Sequence, residues 1–77
     1  MRDRSTIIKQ ILTICQEPTI KWSIIRQLET SWSAATTHIK WLFKHDHVEL
    51  APGRNYVITS KGRDLLRALE KVEELMA

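Results

Sequence analysis

The stretch Ser31-Trp32-Ser33-Ala34-Ala35-Thr36-Thr37-His38-Ile39-Lys40-Trp41-Leu42 decides how this chain folds. Ala35, Ile39 and Leu42 recur at spacings of four and three, which is one apolar stripe of an α-helix. Ser31 or Ser33 caps its start, because a Ser hydroxyl can accept a bond from an otherwise unpaired helix N–H. The helix is expected to end near His45. With the stripe turned inward, Ser33, Thr36, Thr37 and Lys40 face away from the core. Between Ser31 and His45 there are two Lys and no acid. A solvated face without a partner usually mixes charge signs, so this acid-free face is informative.

Upstream, Glu29-Thr30-Ser31 has room only for a tight turn. A second helix precedes it, capped by Thr19 and running to about Leu28, with Ile24, Ile25 and Leu28 inward. Ile7, Ile8, Ile11, Leu12 and Cys15 define the apolar face of a first helix, capped by Asp3 or Ser5 and followed by Pro18. Downstream, Val48-Glu49-Leu50 and Tyr56-Val57-Ile58-Thr59 alternate as strands do. Ala51-Pro52-Gly53-Arg54-Asn55 joins them as a turn-rich loop, giving a β-hairpin. Thr59 or Ser60 then starts a fourth helix that runs almost to the end. The fold class is mainly α with a small β-hairpin (α+β), in the order helix, helix, helix, hairpin, helix. Residues 1–60 form the body and residues 61–77 the last helix.

Two helices joined by a tight turn, with a hairpin straight after, resemble a winged helix-turn-helix. Residues 31–42 resemble the recognition helix of MarR-like and small archaeal winged-helix regulators. So does Tyr56-Val57-Ile58-Thr59-Ser60-Lys61-Gly62-Arg63-Asp64-Leu65-Leu66, an aromatic strand, a Thr, a Lys-Gly pair and two Leu where the wing enters the last helix. The resemblance covers roughly residues 5–70. Its members often carry Gly where Glu29 stands, and Gly-Leu where Asp46-His47 stand. Asp tolerates the left-handed conformation better than most residues, so Asp46 can still end the helix. His47 is a less comfortable replacement for an apolar residue at the start of the wing. The resemblance implies binding of double-stranded DNA by a transcription regulator, such as a repressor, or by a chromatin-type architectural protein. It also implies a homodimer joined through the last helix. The rival from another class is a winged-helix protein-interaction module, which an acidic face would have favoured.

Composition agrees with these expectations. Seventy-seven residues make one domain, with 43% apolar and 27% charged residues and only two Gly and two Pro. The net charge is +3, and all of the basic excess lies in residues 1–60. The single Cys15 fits a reducing, cytoplasmic setting. No apolar run approaches the roughly 20 residues of a membrane helix, and Met1-Arg2-Asp3-Arg4 leads into no signal-peptide core.

On a DNA-binding reading, short hydroxyls and a Lys suit a helix laid in the major groove, where base edges are distinguishable. The candidate DNA-contacting residues are Ser33, Thr36, Thr37, Lys40, Lys44, Arg54 and Lys21. Arg54 stands at the wing tip, which in the resembled family reaches the minor groove or the backbone beside it; Lys21 and Lys44 are placed for phosphates. Arg2 and Arg4 would form a basic arm. Trp22, Trp32 and Trp41 are expected to pack in the core or an interface, with Trp32 locking the turn before its helix. Single-strand binders usually set aromatics on a sheet beside basic residues, and these three lie on helices or beside the turn. Phe43 and Trp41 flank the inward stripe and call for cover. His38, His45 and His47 show no metal-ligand spacing. No phosphate loop, nucleophile elbow or carboxylate pair appears, so neither an enzyme nor a cofactor is expected.

The last helix carries Leu65, Leu69, Val72 and Met76 at spacings of four, three and four, a short coiled-coil seam. Leu66 and Leu75 widen it. A core this small cannot cover the whole face, so Leu65, Leu66 and Leu69 are expected to pack at home and Val72, Leu75 and Met76 to meet a second chain, with Leu69 at the boundary counted in the interface as well. Lys61, Arg63 and Arg67 crowd the first half, and Glu70, Glu73 and Glu74 the second, against the helix dipole. An antiparallel pair would set each basic half against an acidic half.

Overall fold

The computed structural model describes residues 4–76. The elements run α1 (Arg4–Ile14), β1 (Thr19–Ile20), α2 (Lys21–Arg26), α3 (Trp32–Lys44), β2 (Val48–Ala51), a 3-10 turn (Pro52–Arg54), β3 (Asn55–Ile58) and α4 (Ser60–Met76). The expected α+β class and element order are present, with one addition. β1 joins the hairpin to give a three-stranded antiparallel sheet in the order β1-β3-β2. Thr19 pairs with Tyr56 and Ile20 with Asn55. This corrects the expected cap: Thr19 is a strand residue whose hydroxyl donates to the Glu17 carbonyl at 2.8 Å. Ile20 occupies the N-cap position of α2 without a side-chain bond, and the helix stops at Arg26 rather than Leu28. Ser5 lies inside α1 and does not cap it; Asp3 and Arg2 lie outside the described residues.

The inward faces read from the periodicity form one core. Ile7, Ile8, Ile11, Leu12 and Cys15 of the first helical segment meet Ile24, Ile25 and Leu28, then Ala35, Ile39 and Leu42, then Val48, Ile58 and Leu66. At about 25 cal/mol per Å² of apolar surface, such side chains contribute roughly 1.5–3 kcal/mol each before entropy is counted. The Ile58 N–H donates to the Cys15 carbonyl at 2.8 Å, which fixes the sheet to the end of α1. Burial pushes the Cys15 thiol up to about 11, so it is an unreactive packing group.

Ser31 caps α3, accepting from the Ala34 N–H at 3.1 Å. Asp46 ends the helix in the left-handed region at φ 62°. The Thr59 hydroxyl donates to the Asp46 carbonyl at 2.6 Å and accepts from the Gly62 N–H at 3.0 Å. One side chain therefore closes α3 and opens α4. His47, which stands between them, is buried. Its ring stacks on Trp41 with centroids 5.5 Å apart, yet its Nδ1 has no partner.

Burial foremost, then the Lys61 charge, lowers the pKa of His47 below its ordinary 6.5. The unfolded chain therefore binds a proton at this position at a higher pH than the folded chain does. Stability should fall as pH drops below about 6.5, with the loss growing until the folded form also protonates. His47→Leu should reduce that acid slope, leaving the part that His38, whose pKa is lowered likewise, contributes, and raise stability at neutral pH by about 1 kcal/mol, through removal of an unpaired buried polar atom. Urea denaturation of both proteins at neutral and mildly acidic pH measures this; parallel losses in the two would exclude His47 as the origin.

Candidate nucleic-acid interface

α3 presents its outer face as a consequence of where its core stripe sits. With Ala35, Ile39 and Leu42 buried, the positions opposite on the wheel are Ser33, Thr37, Lys40 and Lys44. All four are exposed. They repeat at four, three and four, so they form one line along the helix. The Thr37 hydroxyl donates to the Ser33 carbonyl at 3.0 Å, which leaves its oxygen as an acceptor. No acid lies on α3. The line thus offers two small hydroxyls in its first half and two ammonium groups in its second.

Thr36 does not belong to this line, contrary to the sequence expectation. It is half-buried, and its Oγ1 is shielded from solvent without a hydrogen-bond partner. A hydroxyl so placed cannot reach a base edge. On the wheel it falls on the flank beside Trp32 and Phe43, a position that spacing alone did not separate from the outer face.

The wing is built tightly. β2 and β3 pair in register from Val48↔Ile58 to Ala51↔Asn55. The connection takes Gly53 at φ 79° and Arg54 at φ 60° in succession. Gly adopts this region freely, whereas Arg there carries strain of about 1–2 kcal/mol. The Asn55 amide donates to the Pro52 carbonyl at 2.8 Å and braces the tip. Arg54 is exposed. Lys21, the first residue of α2, shares a cleft with Arg54, because β1 brings the start of α2 beside the wing tip.

Of the three Trp expected in the core or an interface, two are left uncovered by the single chain. Trp22 and Trp32 are 52% and 53% exposed, so neither packs in the core of this chain. Trp22 lies under the Arg26 guanidinium at 4.6 Å. Trp41 alone packs against the core as expected, and the Arg4 guanidinium covers its ring at 5.0 Å. Arg4 is therefore part of α1 and engaged there, not a free arm. Phe43 sits edge-on to Tyr56 with centroids 6.2 Å apart. For Trp22 the sequence carries the signal, since it falls beside Lys21 and off the Ile24-Ile25-Leu28 face.

Burial foremost, then the Arg4 charge, lowers the pKa of His38. His45 and His47 have ring centroids 6.5 Å apart. No group of three or more His, Cys, Asp or Glu able to hold a metal occurs among the described residues. No helix among them is long and apolar enough to cross a membrane.

α4 divides along its length. Gly62 and Leu66 are buried, and Leu65 and Leu69 pack against the core. Beyond them Val72, Leu75 and Met76 are exposed, the last two at 78% and 82%. Lys9 of α1 meets Glu73 at 2.6 Å, which ties the second half of α4 to the body.

No curated protein matches the chain. A family model described as winged helix-turn-helix matches residues 1–77. That match, together with the helix pair, tight turn and hairpin wing, places the chain in the winged helix-turn-helix family.

Proposed function

We propose that this protein binds duplex DNA as a homodimer, with α3 in the major groove and the wing tip against the neighbouring backbone. The observation that carries the reading is the exposed, acid-free line Ser33-Thr37-Lys40-Lys44 on the second helix of a helix-turn-helix pair. Lys40, Lys44, Lys21 and Arg54 serve phosphates, and Ser33 and Thr37 approach base edges. The biological role that fits is a transcription regulator, such as a repressor, or a chromatin-type architectural protein. Leu69, Val72, Leu75 and Met76 of α4 form the seam with the second copy, the pair running antiparallel.

The roles divide in a way that mutation can separate. Lys40→Ala and Arg54→Ala should each weaken binding to every sequence, about five-fold at moderate salt, and reduce the salt slope by about two, because each substitution removes a phosphate contact from both subunits. Thr37→Ala should leave overall affinity nearly intact and narrow the difference between preferred and random duplexes. Fluorescence anisotropy on selected and random duplexes measures both. Full affinity in the Lys40→Ala, Arg54→Ala double variant would place the interface elsewhere.

A further inference from the structure

The chain leaves one apolar surface uncovered beside the wing. Leu50 and Tyr56 are cross-strand partners. They continue the face that Val48 and Ile58 bury, and they carry it past the edge of the core. Ile20 and Trp22 stand opposite, at the junction of β1 and α2. Together with Lys21 and Arg54 these four line an open cleft of about 500 Å³. Leu50 is 53% exposed, and no acid lines the cleft.

Three features indicate what it takes. Both rings are held from outside: Trp22 by the Arg26 guanidinium at 4.6 Å, and Tyr56 by the perpendicular ring of Phe43, with centroids 6.2 Å apart. They are therefore oriented before any ligand arrives. The charged groups at the rim are cations only, which suits a ligand with a flat apolar face and an anionic link. The contact of Phe43 with Tyr56 makes the cleft continuous with the flank of α3. Tyr56 lies on β3 and Trp22 with Lys21 on the first turn of α2, which β1 sets against the sheet edge; aromatics beside cations are how proteins hold unpaired nucleotides, since every base offers a π-face and every link a phosphate. The cleft's size falls within the roughly 300–1,000 Å³ of small-ligand pockets.

We propose that this cleft receives an unpaired base of the bound DNA, with Trp22 and Tyr56 against the base and Lys21 and Arg54 on the flanking phosphates. The inference rests on the duplex-binding reading and adds a preference to it: the protein favours duplexes that are locally opened beside its site. Apolar side chains at the edge of a groove are a known means of exploiting an unstacked step.

The test compares the full chain on a labelled duplex and on the same duplex carrying a short run of unpaired thymines. The opened duplex should bind roughly ten-fold more tightly, the size of one base stacked on an aromatic ring. Trp22→Ala should remove that gain and leave binding to the closed duplex unchanged, and Trp22→Phe should retain most of it. Equal affinity for the two DNAs overturns this inference alone. A gain that survives Trp22→Ala also overturns it. Binding of the opened DNA without any binding of the closed duplex would support the cleft and refute the α3 reading. Absence of binding to either DNA overturns both.

Discussion

Gly62→Ala is expected to destabilise the protein by about 3 kcal/mol or more, although Ala is the better helix former. A Cβ at this position would lie 2.0 Å from the His47 carbonyl oxygen and 2.7 Å from Ile58 Cγ1. The His47 backbone cannot retreat. Its N–H donates to Leu42 at 2.9 Å and its carbonyl accepts from Thr59 at 3.1 Å. The start of α4 must instead lift off the wing, opening the core at Ile58 and Leu66. Overpacking against backbone costs at the upper end of the usual range, whereas helix propensity alone would predict a gain of about 1 kcal/mol. The two effects differ in sign, and close approach wins by its size. A domain of this length holds about 4–12 kcal/mol in all, so the variant should melt at least about 12 °C below the parent. A melting temperature equal to or above that of the parent would refute the close packing of α4 on the wing.

Val72→Glu combined with Met76→Glu is expected to give monomers that bind DNA roughly 100-fold more weakly. Both side chains are exposed in the single chain, so the substitutions leave its core intact. They would place acids in the proposed seam, where desolvation is unfavourable. The loss in DNA affinity follows because two half-sites would no longer be engaged together. Orientation follows from charge. Lys61, Arg63 and Arg67 lie in the first half of α4, and Glu70, Glu73 and Glu74 in the second. Arg67 meets Asp64 at 3.1 Å on the same helix, and Glu73 is already engaged by Lys9. Lys61, Arg63, Glu70 and Glu74 are thus the charges best placed to choose the antiparallel pairing, at about 0.2–1 kcal/mol per exposed pair. Light scattering should give twice the 9.0 kDa chain mass for the parent and the single-chain mass for the variant. A parent that stays monomeric at high micromolar concentration contradicts the dimer, and a cross-link between two copies of residue 76 contradicts its orientation.

The parts of this fold that were legible in the sequence are those governed by repetition. The apolar stripes of α1 and α3 repeat often enough for their inward faces to be read directly. The wing showed itself through strand alternation around Pro52-Gly53. Asp46 was identified as a left-handed residue because Asn and Asp tolerate that region. β1 was not legible. Two residues carry no period, and the strand exists because β3 offers Thr19 and Ile20 a free edge. The start of α2 at Lys21 follows from that pairing, since Ile20 must stay extended. The expectation that the Trp pack in the core or an interface did not divide them: Trp22 falls off the inward face of α2, but Trp32 flanks the stripe of α3, and the rule on burial says nothing about which aromatics a small core cannot reach. Within the candidate interface, Ser33, Thr37, Lys40 and Lys44 were placed by the wheel. Thr36 was not, because it lies on the boundary where a small rotation of the helix decides whether a hydroxyl meets solvent or protein.

The central claim is that α3 and the wing form a phosphate-neutralising DNA surface, and the salt dependence of duplex binding tests it most directly. Lys21, Lys40, Lys44 and Arg54 in each of two subunits would displace counterions from about eight phosphates. The logarithm of the association constant should then fall linearly with the logarithm of salt concentration, with a slope of about −7. A flat response, or no binding to any duplex at low salt, would contradict it.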